Sequence, residues 1–201
     1  MIGQWKTIPR YPHCEVSNKD KVMIDRIRLA KQVKDCVQLS GTFILRSGAI
    51  SNIYFDKYLF ESSPGMLRQI AEEMATLVHP ETDILAGLEM GGIPVATVLS
   101  QVTRLPTAFI RKEPKTYGTC KYAEGPDLRG RKVTLVEDVV SSGGAILDAV
   151  ERLRRDHIEP IGVLCVIDRQ TGGLENLRSA GLGLRSVFTM QEVKEIWNLY
   201  Q

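Results

Sequence analysis

The sequence contains no long apolar segment and almost no excess of charge. No window approaches the roughly 18 consecutive apolar residues that a membrane-spanning helix needs, so we expect no membrane partner. The N-terminal segment also has no apolar stretch of the kind found in signal peptides. The net charge is only +2, which argues against the broad basic surface of a nucleic-acid-binding protein, so we expect no nucleic-acid partner.

Cysteine is scarce and widely spaced. The four cysteines are Cys14, Cys36, Cys120 and Cys165, and no two of them form a CxxC pair. We therefore expect neither a disulfide nor a zinc site, and we expect a cytoplasmic location. Cys165 lies in an apolar run, which predicts that it packs in the core, whereas the polar surroundings of Cys120 predict a surface thiol.

The chain length of 201 residues suits one α/β domain. Residues 1–20 are polar and contain two prolines, and we interpret them as an N-terminal extension of a single domain over 21–201. Apolar residues that include Ile27 recur at helical spacing and predict a helix over 24–37.

Two short strands and a helix are predicted next. A turn at Gly41-Thr42 precedes the segments 43–48 and 51–60, whose alternating apolar residues predict the two strands. Pro64 then begins a predicted helix over 64–78, and Ser63 is suited to cap its N-terminus.

Beyond residue 80, short apolar runs alternate with helical stretches. Runs without polar alternation suit strands that are buried on both faces. The alternation of strands and helices predicts a mostly parallel central sheet flanked by helices, in which ligands bind at the carboxyl ends of the strands. The predicted strands are 83–87, 107–110, 133–138, 161–168 and 184–190, and the predicted helices are 93–103 and 144–156.

The segment VTLVEDVVSSGGA, residues 133–145, carries the strongest functional signal. An apolar strand ends in Glu137 and Asp138, and the small residues 141–144 precede a helix that starts near Ala145. Small residues let several backbone N–H groups point at one anion, and the helix N-terminus adds partial positive charge. This pattern predicts a phosphate cradle, although the chain has neither the GK[ST] of a Walker A loop nor a GxGxxG motif. The alternative is that the acids only end a strand and SSGG is an ordinary turn.

An acid pair beside a phosphate cradle suits a sugar phosphate. Carboxylates repel phosphate, but they accept hydrogen bonds from vicinal ribose hydroxyls. The order of strand, acid pair, small-residue loop and helix resembles the motif that binds phosphoribosyl pyrophosphate (PRPP) in type I phosphoribosyltransferases. The resemblance implies the fold of that family, with a small N-terminal hood, and PRPP contacts from the acid pair and the cradle. The implied contacts are Glu137, Asp138, Ser141, Ser142, Gly143 and Gly144.

A second small-residue loop, AGLEMGGIP at 86–94, follows a predicted buried strand. Gly91 and Gly92 let backbone amides come close to an anion, although a plain strand–helix connection would look the same. The family has its pyrophosphate loop at this point, which implies that both glycines contact PRPP. Some orotate-specific relatives carry a lysine where this chain has Gly91.

The segment RKEPKTYGTCKYAEG is basic and has no hydrophobic pattern. Such a segment is usually solvated surface, but this one lies at the same sheet edge as two predicted phosphate loops. RKEPK-x-x-G resembles the flexible catalytic loop of the orotate phosphoribosyltransferase family, which closes over the active site of the neighbouring subunit. The resemblance implies PRPP contacts from Arg111, Lys112 and Lys115. It also implies a homodimer that shares the loop 112–122, and we expect this loop to be poorly ordered without ligand.

Three stretches favour orotate over a purine as the acceptor base. RKEPK is one, and IDRQTGG is another, because Arg169 at the end of a buried strand suits the carboxylate that uracil and the purines lack. FILRSG followed by YFDKYLFES resembles the hood segment of the family, which implies orotate contacts from Arg46 and Phe55. The alternatives are a surface ion pair of Arg169 with Asp168 or another nearby acid, and core packing for Phe55.

The resemblance implies transfer of a phosphoribosyl group from PRPP to orotate, giving orotidine 5'-monophosphate and pyrophosphate in de novo pyrimidine biosynthesis. Lys115 and Asp138 are the predicted catalytic residues, and Ser141 is expected to contact orotate as well as PRPP. Mg²⁺ is expected to arrive with PRPP rather than on protein side chains. Tyr117 stands where the family commonly has histidine, so no proton transfer is assigned there. The alternatives are transfer to another base, and a non-catalytic regulator that senses PRPP or nucleotides.

Overall fold

A computed structural model of the chain describes residues 26–44, 48, 50–115 and 121–198. The predicted extension, residues 1–20, lies outside these residues. The described elements are α1 (Arg26–Val37), β1 (Gln38–Ile44), β2 (Ile50–Phe55), α2 (Tyr58–Glu61), α3 (Pro64–Ala75), β3 (Ile84–Leu88), α4 (Gly92–Thr103), β4 (Thr107–Ile110), β5 (Ala123–Glu124), β6 (Val133–Val140), α5 (Gly144–Arg155), β7 (Pro160–Asp168), α6 (Gly173–Ser179), β8 (Leu184–Thr189) and α7 (Met190–Asn198).

The central sheet has six strands in the order β5-β4-β3-β6-β7-β8. Every neighbouring pair is parallel except β4 and β5, which are antiparallel at one edge. This arrangement confirms the predicted mostly parallel sheet. No described helix is long and apolar enough to cross a lipid bilayer.

Two apolar cores cover the two faces of the sheet. Successive strand residues point to opposite faces, so Leu85 belongs to one core and Ala86 to the other. The first core includes buried residues of α1, α3, α4 and α7, and the second includes those of α5 and α6. Helices therefore flank the sheet on both sides, and its interior strands read as apolar runs because both of their faces are buried.

A hairpin and a short helix precede α3 and form the predicted hood. Strands β1 and β2 pair antiparallel, with an irregular register between Ser40 and Phe43. The exposed fractions of Ile44 and Ile50 are 79% and 74%, so this end of the hairpin stands away from both cores. The hood continues into α2, whose Phe60 is fully buried.

Several N-terminal predictions were wrong in detail. Gly41-Thr42 is not a turn, because both residues lie within β1 at its irregular pairing. The second predicted strand ends at Phe55, and residues 58–61 form α2 instead. Ile27 is 49% exposed, whereas the core face of α1 consists of Leu29, Ala30, Val33 and Val37.

The predictions for the sheet were closer, with small shifts at the ends of elements. Strand β6 continues to Val140, so Glu137 and Asp138 lie within the strand rather than at its end. Ser63 precedes α3 in an extended conformation, but its side chain makes no capping hydrogen bond, and the helix ends at Ala75. Strand β5 and helices α6 and α7 were not predicted.

Candidate active site

The predicted ligand loops meet at the carboxyl edge of the sheet. The strands β3, β4, β6 and β7 are parallel, so the loops that follow them leave from the same edge. Two hydrogen bonds join these loops directly. The backbone N–H of Lys112 donates to Glu89 Oε2 at 2.8 Å, and the N–H of Arg169 donates to the carbonyl of Val140 at 2.8 Å.

The cradle after β6 has the backbone geometry of an anion site. Gly143 has a φ of +77°, a left-handed conformation that glycine adopts without a steric penalty, and α5 begins at the next residue. No described side chain caps this end of α5. Its first N–H groups and its partial positive charge are therefore available to a phosphate group. Ser141 is half-buried and Ser142 is exposed, so both hydroxyls are close to the surface.

Helix α6 packs against the backbone of the cradle. The side-chain amide of Asn176 donates to the carbonyl of Ser142 at 2.9 Å. At Gly173, a Cβ atom would lie 2.5 Å from the carbonyl oxygen of Ser141, so only glycine lets α6 come this close. No local pattern predicts this contact, because Asn176 is 34 positions away from Ser142 along the chain.

The glycines of the 86–94 loop bring it close to β6. A Cβ atom at Gly91 would lie 1.7 Å from Asp138 Oδ2, and one at Gly92 would lie 2.2 Å from the carbonyl oxygen of Val136. A lysine at position 91 is incompatible with this packing unless Asp138 moves. The two glycines therefore place the loop directly against the acid pair, and Gly92 also begins α4.

The acid pair belongs to a cluster of three carboxyl groups and one ammonium group. Asp138 is fully buried, and its Oδ2 lies 2.6 Å from Nζ of Lys57, just before α2. Glu61 contributes a third carboxyl group, and its Oε1 is buried. Neither Lys57 nor Glu61 was predicted. In this conformation the ion pair with Lys57 covers Asp138, so direct contact between Asp138 and a ribose requires Lys57 to move.

The cluster separates the pKa values of its carboxyl groups. Burial, together with the neighbouring Asp138 carboxylate, raises the pKa of Glu61 to about 9. Burial, together with Asp138, also raises the pKa of Glu137 well above its usual value. Burial opposes the charge on Asp138, but hydrogen bonds with Glu137, Glu61 and Lys57 outweigh that effect and lower its pKa. The negative charge of the cluster is therefore concentrated on Asp138, opposite Lys57.

The basic segment is described at its two ends, which we call the loop stems, residues 111–115 and 121–124. The backbone N–H of Arg111 donates to the carbonyl of Tyr122 at 3.0 Å, so the stems are joined at their base. Lys115 forms an ion pair with Glu124 across the stems. Residues 116–120, which include Tyr117 and Cys120, lie outside the described residues, and poor order of the loop without ligand stays a prediction.

Comparison with known proteins identifies the family. Residues 60–183 match the phosphoribosyl transferase domain. The chain is 48% identical over 165 residues to an orotate phosphoribosyltransferase of Nocardioides sp., covering 82% of this chain and 92% of that protein. It is 40% identical over 153 residues to an orotate phosphoribosyltransferase of Methanocella arvoryzae, covering 76% and 87%. The chain belongs to the orotate phosphoribosyltransferase family.

Solved structures of orotate phosphoribosyltransferases have the same fold. The Mycobacterium tuberculosis enzyme in complex with PRPP superimposes with a TM-score of 0.72 at 28% identity, covering 85% of this chain and 99% of that chain. The Aeropyrum pernix enzyme superimposes with a TM-score of 0.71 at 26% identity, covering 85% and 99%. An adenine phosphoribosyltransferase of Leishmania donovani, at 16% identity and a TM-score of 0.61, shares the fold alone.

The predicted orotate contacts of this orotate phosphoribosyltransferase family member lie in different environments. Arg169 is exposed beyond β7, and among the described residues it has no ion pair, so the pair with Asp168 is not formed. Asp168 instead accepts a hydrogen bond from the backbone N–H of Gln170 at 2.8 Å. Phe55 is half-buried and packs against the first core, as the alternative for it proposed. Arg46 lies outside the described residues.

The described part of this family member contains no group of three or more His, Cys, Asp or Glu side chains placed to hold a metal ion. Two of the four cysteines, Cys36 and Cys165, are described, and both are free thiols. Cys165 is buried in β7, as its apolar run predicted, and this burial raises its pKa.

Proposed function

We propose that the protein is an orotate phosphoribosyltransferase, which transfers a 5-phosphoribosyl group from PRPP to orotate in de novo pyrimidine biosynthesis. The observation that carries the proposal is the meeting of the acid pair, the cradle and the basic loop stems at one sheet edge. Relatives named orotate phosphoribosyltransferase, one of them 48% identical, support the choice of base. The products are orotidine 5'-monophosphate and pyrophosphate.

During the reaction, opposite charges develop at the two ends of the bond that breaks in PRPP. The bond from C1 of the ribose to pyrophosphate breaks with its electron pair, and a ring nitrogen of orotate forms the new bond. Negative charge grows on the leaving group, where Lys115, Arg111 and Lys112 are suited to stabilise it. The N–H groups at the start of α5 are suited to bind the 5-phosphate. The attacking ring nitrogen of orotate loses its proton to the departing pyrophosphate or to solvent, so no general base is assigned to the protein.

The metal enters this proposal as part of the substrate. Mg²⁺ keeps several waters and is usually bound through substrate phosphates with one or two carboxylates. Glu137 is the partly exposed member of the acid pair, so it would be better placed than Asp138 to contact the ribose hydroxyls and to help hold Mg²⁺. Asp138 can contact the ribose once Lys57 has moved away. Otherwise Asp138 acts through its negative charge, from its buried position next to Glu137.

We further propose a cytoplasmic homodimer in which the loop 112–122 of each subunit serves the partner's site. Lys115 supports this proposal, because its described ion pair is with Glu124 of the other stem of the same loop and not with any residue of its own acid cluster or cradle. The expected site therefore combines the cradle of one subunit with the loop of the other.

The test is a direct assay of the reaction. Protein, Mg²⁺, PRPP and orotate are mixed, and the loss of orotate absorbance is followed, with omission of PRPP and of Mg²⁺ as controls. Turnover that needs both PRPP and Mg²⁺ supports the proposal. A panel with uracil, adenine and hypoxanthine in place of orotate tests base choice. Turnover with one of these bases and not with orotate would replace the proposal, and PRPP binding without any turnover would favour a regulator.

A further inference from the structure

One face of helix α5 is directed toward the loop stems. Ala145, Asp148 and Arg152 are spaced as neighbours on one side of a helix, and together they wall a cavity of about 130 Å³ beneath both stems. The opposite wall includes Glu113 from the first stem and Tyr122 from the second. Because this space is not filled by packing, a side chain that crosses it has a large influence on where the stems lie.

Arg152 crosses this space and contacts both stems. Its Nη1 donates to Glu113 Oε2 at 2.9 Å, and its Nη2 donates to Glu113 Oε1 at 3.4 Å. Nη1 also lies 3.4 Å from the carbonyl oxygen of Lys112. On the second stem, the guanidinium carbon lies 5.2 Å from the ring centroid of Tyr122, within the range of a cation–π interaction. One guanidinium group therefore joins the two ends of the loop.

A single exposed ion pair would contribute little, since such pairs are screened by water and salt. Arg152 differs because its bidentate pair, its contact with a backbone carbonyl and its contact with an aromatic ring share one planar group. The other side-chain link across the described stems is the ion pair of Lys115 with Glu124. That link must break whenever Lys115 moves to a pyrophosphate group, whereas the Arg152 contacts do not involve Lys115.

We infer that Arg152 is a positioning residue that holds both stems of the 112–122 loop on α5 while Lys115 leaves Glu124 for the substrate. The inference rests on the proposed function only for the destination of Lys115. Arg152 is assigned no contact with substrate. It acts through Glu113 and Tyr122, on the helix whose first residues form the phosphate cradle.

The experiment combines amide hydrogen exchange with steady-state kinetics on the full chain. Arg152→Ala should speed exchange in residues 112–115 and 121–124 and raise the KM for PRPP, each by roughly two- to fivefold, the range expected when a surface ion pair and a cation–π contact are lost together. The KM for orotate and the melting temperature should change little. Arg152→Lys should restore part of both effects, because it keeps the charge but not the planar fork.

Two further variants and a control make the result specific. Glu113→Gln and Tyr122→Leu should each produce part of the Arg152→Ala effect. Arg155→Ala is the matched control, since Arg155 lies in the same helical turn but pairs with Glu151 of α5 itself. Unchanged exchange in the stems of Arg152→Ala would overturn the inference, and so would faster exchange without any change in the KM for PRPP. Absence of turnover in the wild type, with faster exchange in Arg152→Ala, would overturn the proposed function and leave the contacts of Arg152 intact.

Discussion

Three residues around Asp138 affect its charge in different ways. Lys57 supplies a positive charge at 2.6 Å, Glu137 shares hydrogen bonds with it, and Glu61 is held protonated beside it. A buried carboxylate is stable only when such partners offset its loss of hydration. The neighbouring acids tolerate this closeness because burial raises their pKa values, so the negative charge is concentrated on Asp138.

Stability should fall as the pH rises through the neutral range, and Glu61→Gln should weaken that fall. Glu61 has a pKa near 4.5 when unfolded and about 9 when folded, so the folded protein binds more protons between these values. Stabilisation from the protonated group is complete below about pH 4.5 and is lost as the pH rises through 9. Burial raises the pKa of Glu137 too, so its contribution has the same sign and persists in the variant.

Melting temperatures from pH 5 to 9 would test this linkage. The wild type should lose several degrees more than Glu61→Gln, since about 1 kcal/mol shifts the melting temperature of a domain of this size by about 2–4 °C. Glu81→Gln, at an exposed turn, is the control and should follow the wild type. Parallel curves for wild type and Glu61→Gln would show that Glu61 does not hold an extra proton in the folded state.

Arg169 gives a prediction about substrate selectivity. Arg169→Ala should raise the KM for orotate far more than the KM for PRPP, because a charge-assisted contact contributes on the order of 2–3 kcal/mol. Its lack of an ion-pair partner among the described residues leaves the guanidinium group available to a carboxylate. Arg178→Ala, an exposed arginine on α6, should change neither constant. If both constants rise equally in Arg169→Ala, the residue does not select the base.

The elements of the sheet were largely predictable from sequence, for a physical reason. Strands buried on both faces appear as unbroken apolar runs, and β4 was predicted with its observed limits. The hood was not predictable in this way, because β1 and β2 form a two-stranded sheet with one open side and an irregular register. The contacts that complete the site, from Lys57, Glu61 and Asn176, are non-local and leave no pattern in neighbouring residues.

The close approach of the 86–94 loop to β6 can be tested with a single methyl group. Gly91→Ala would place its Cβ 1.7 Å from Asp138 Oδ2, so the loop or the acid cluster must shift. The backbone at Gly91 is compatible with alanine, since its φ is −68°, and the effect is therefore steric. We expect a loss of kcat/KM for PRPP of roughly 5- to 150-fold, corresponding to the 1–3 kcal/mol typical of overpacking.

Gly65→Ala is the matched control for this variant. A Cβ at Gly65 would meet no atom within 4 Å, and the residue lies in the first turn of α3. Alanine should therefore leave activity unchanged and stabilise the fold slightly, by about 0.4–1 kcal/mol. Full activity in Gly91→Ala would show that the loop can move away from the acid cluster without consequence for PRPP.

At the scale of the whole molecule, the proposed sharing of the loop predicts that two inactive variants restore each other. Lys115→Ala lacks the loop lysine and Asp138→Asn lacks the buried acid, so each alone should have little activity. In a hybrid dimer, one site would have its own Asp138 and its partner's Lys115. Random mixing makes about half of the dimers hybrid, so up to roughly a quarter of wild-type activity should return.

The mixing experiment needs proof that subunits exchange, for example from differently tagged chains that co-purify. Recovery would establish that Lys115 acts across a subunit boundary. Exchange without recovery would mean that Lys115 serves its own subunit or is not catalytic. A monomer in sedimentation measurements at assay concentration would remove the basis for sharing altogether.

The length of helix α5 limits the insertions that the chain can tolerate there. Its 12 residues extend over about 18 Å, with the cradle at one end and Arg152 in the last turn. One inserted residue would rotate everything after it by about 100° around the helix axis, and Arg152 would then point away from Glu113 and Tyr122. The distance in sequence between Gly144 and Arg152 thus sets an angle as well as a length. Related chains that keep an arginine for this purpose should preserve that helical phase.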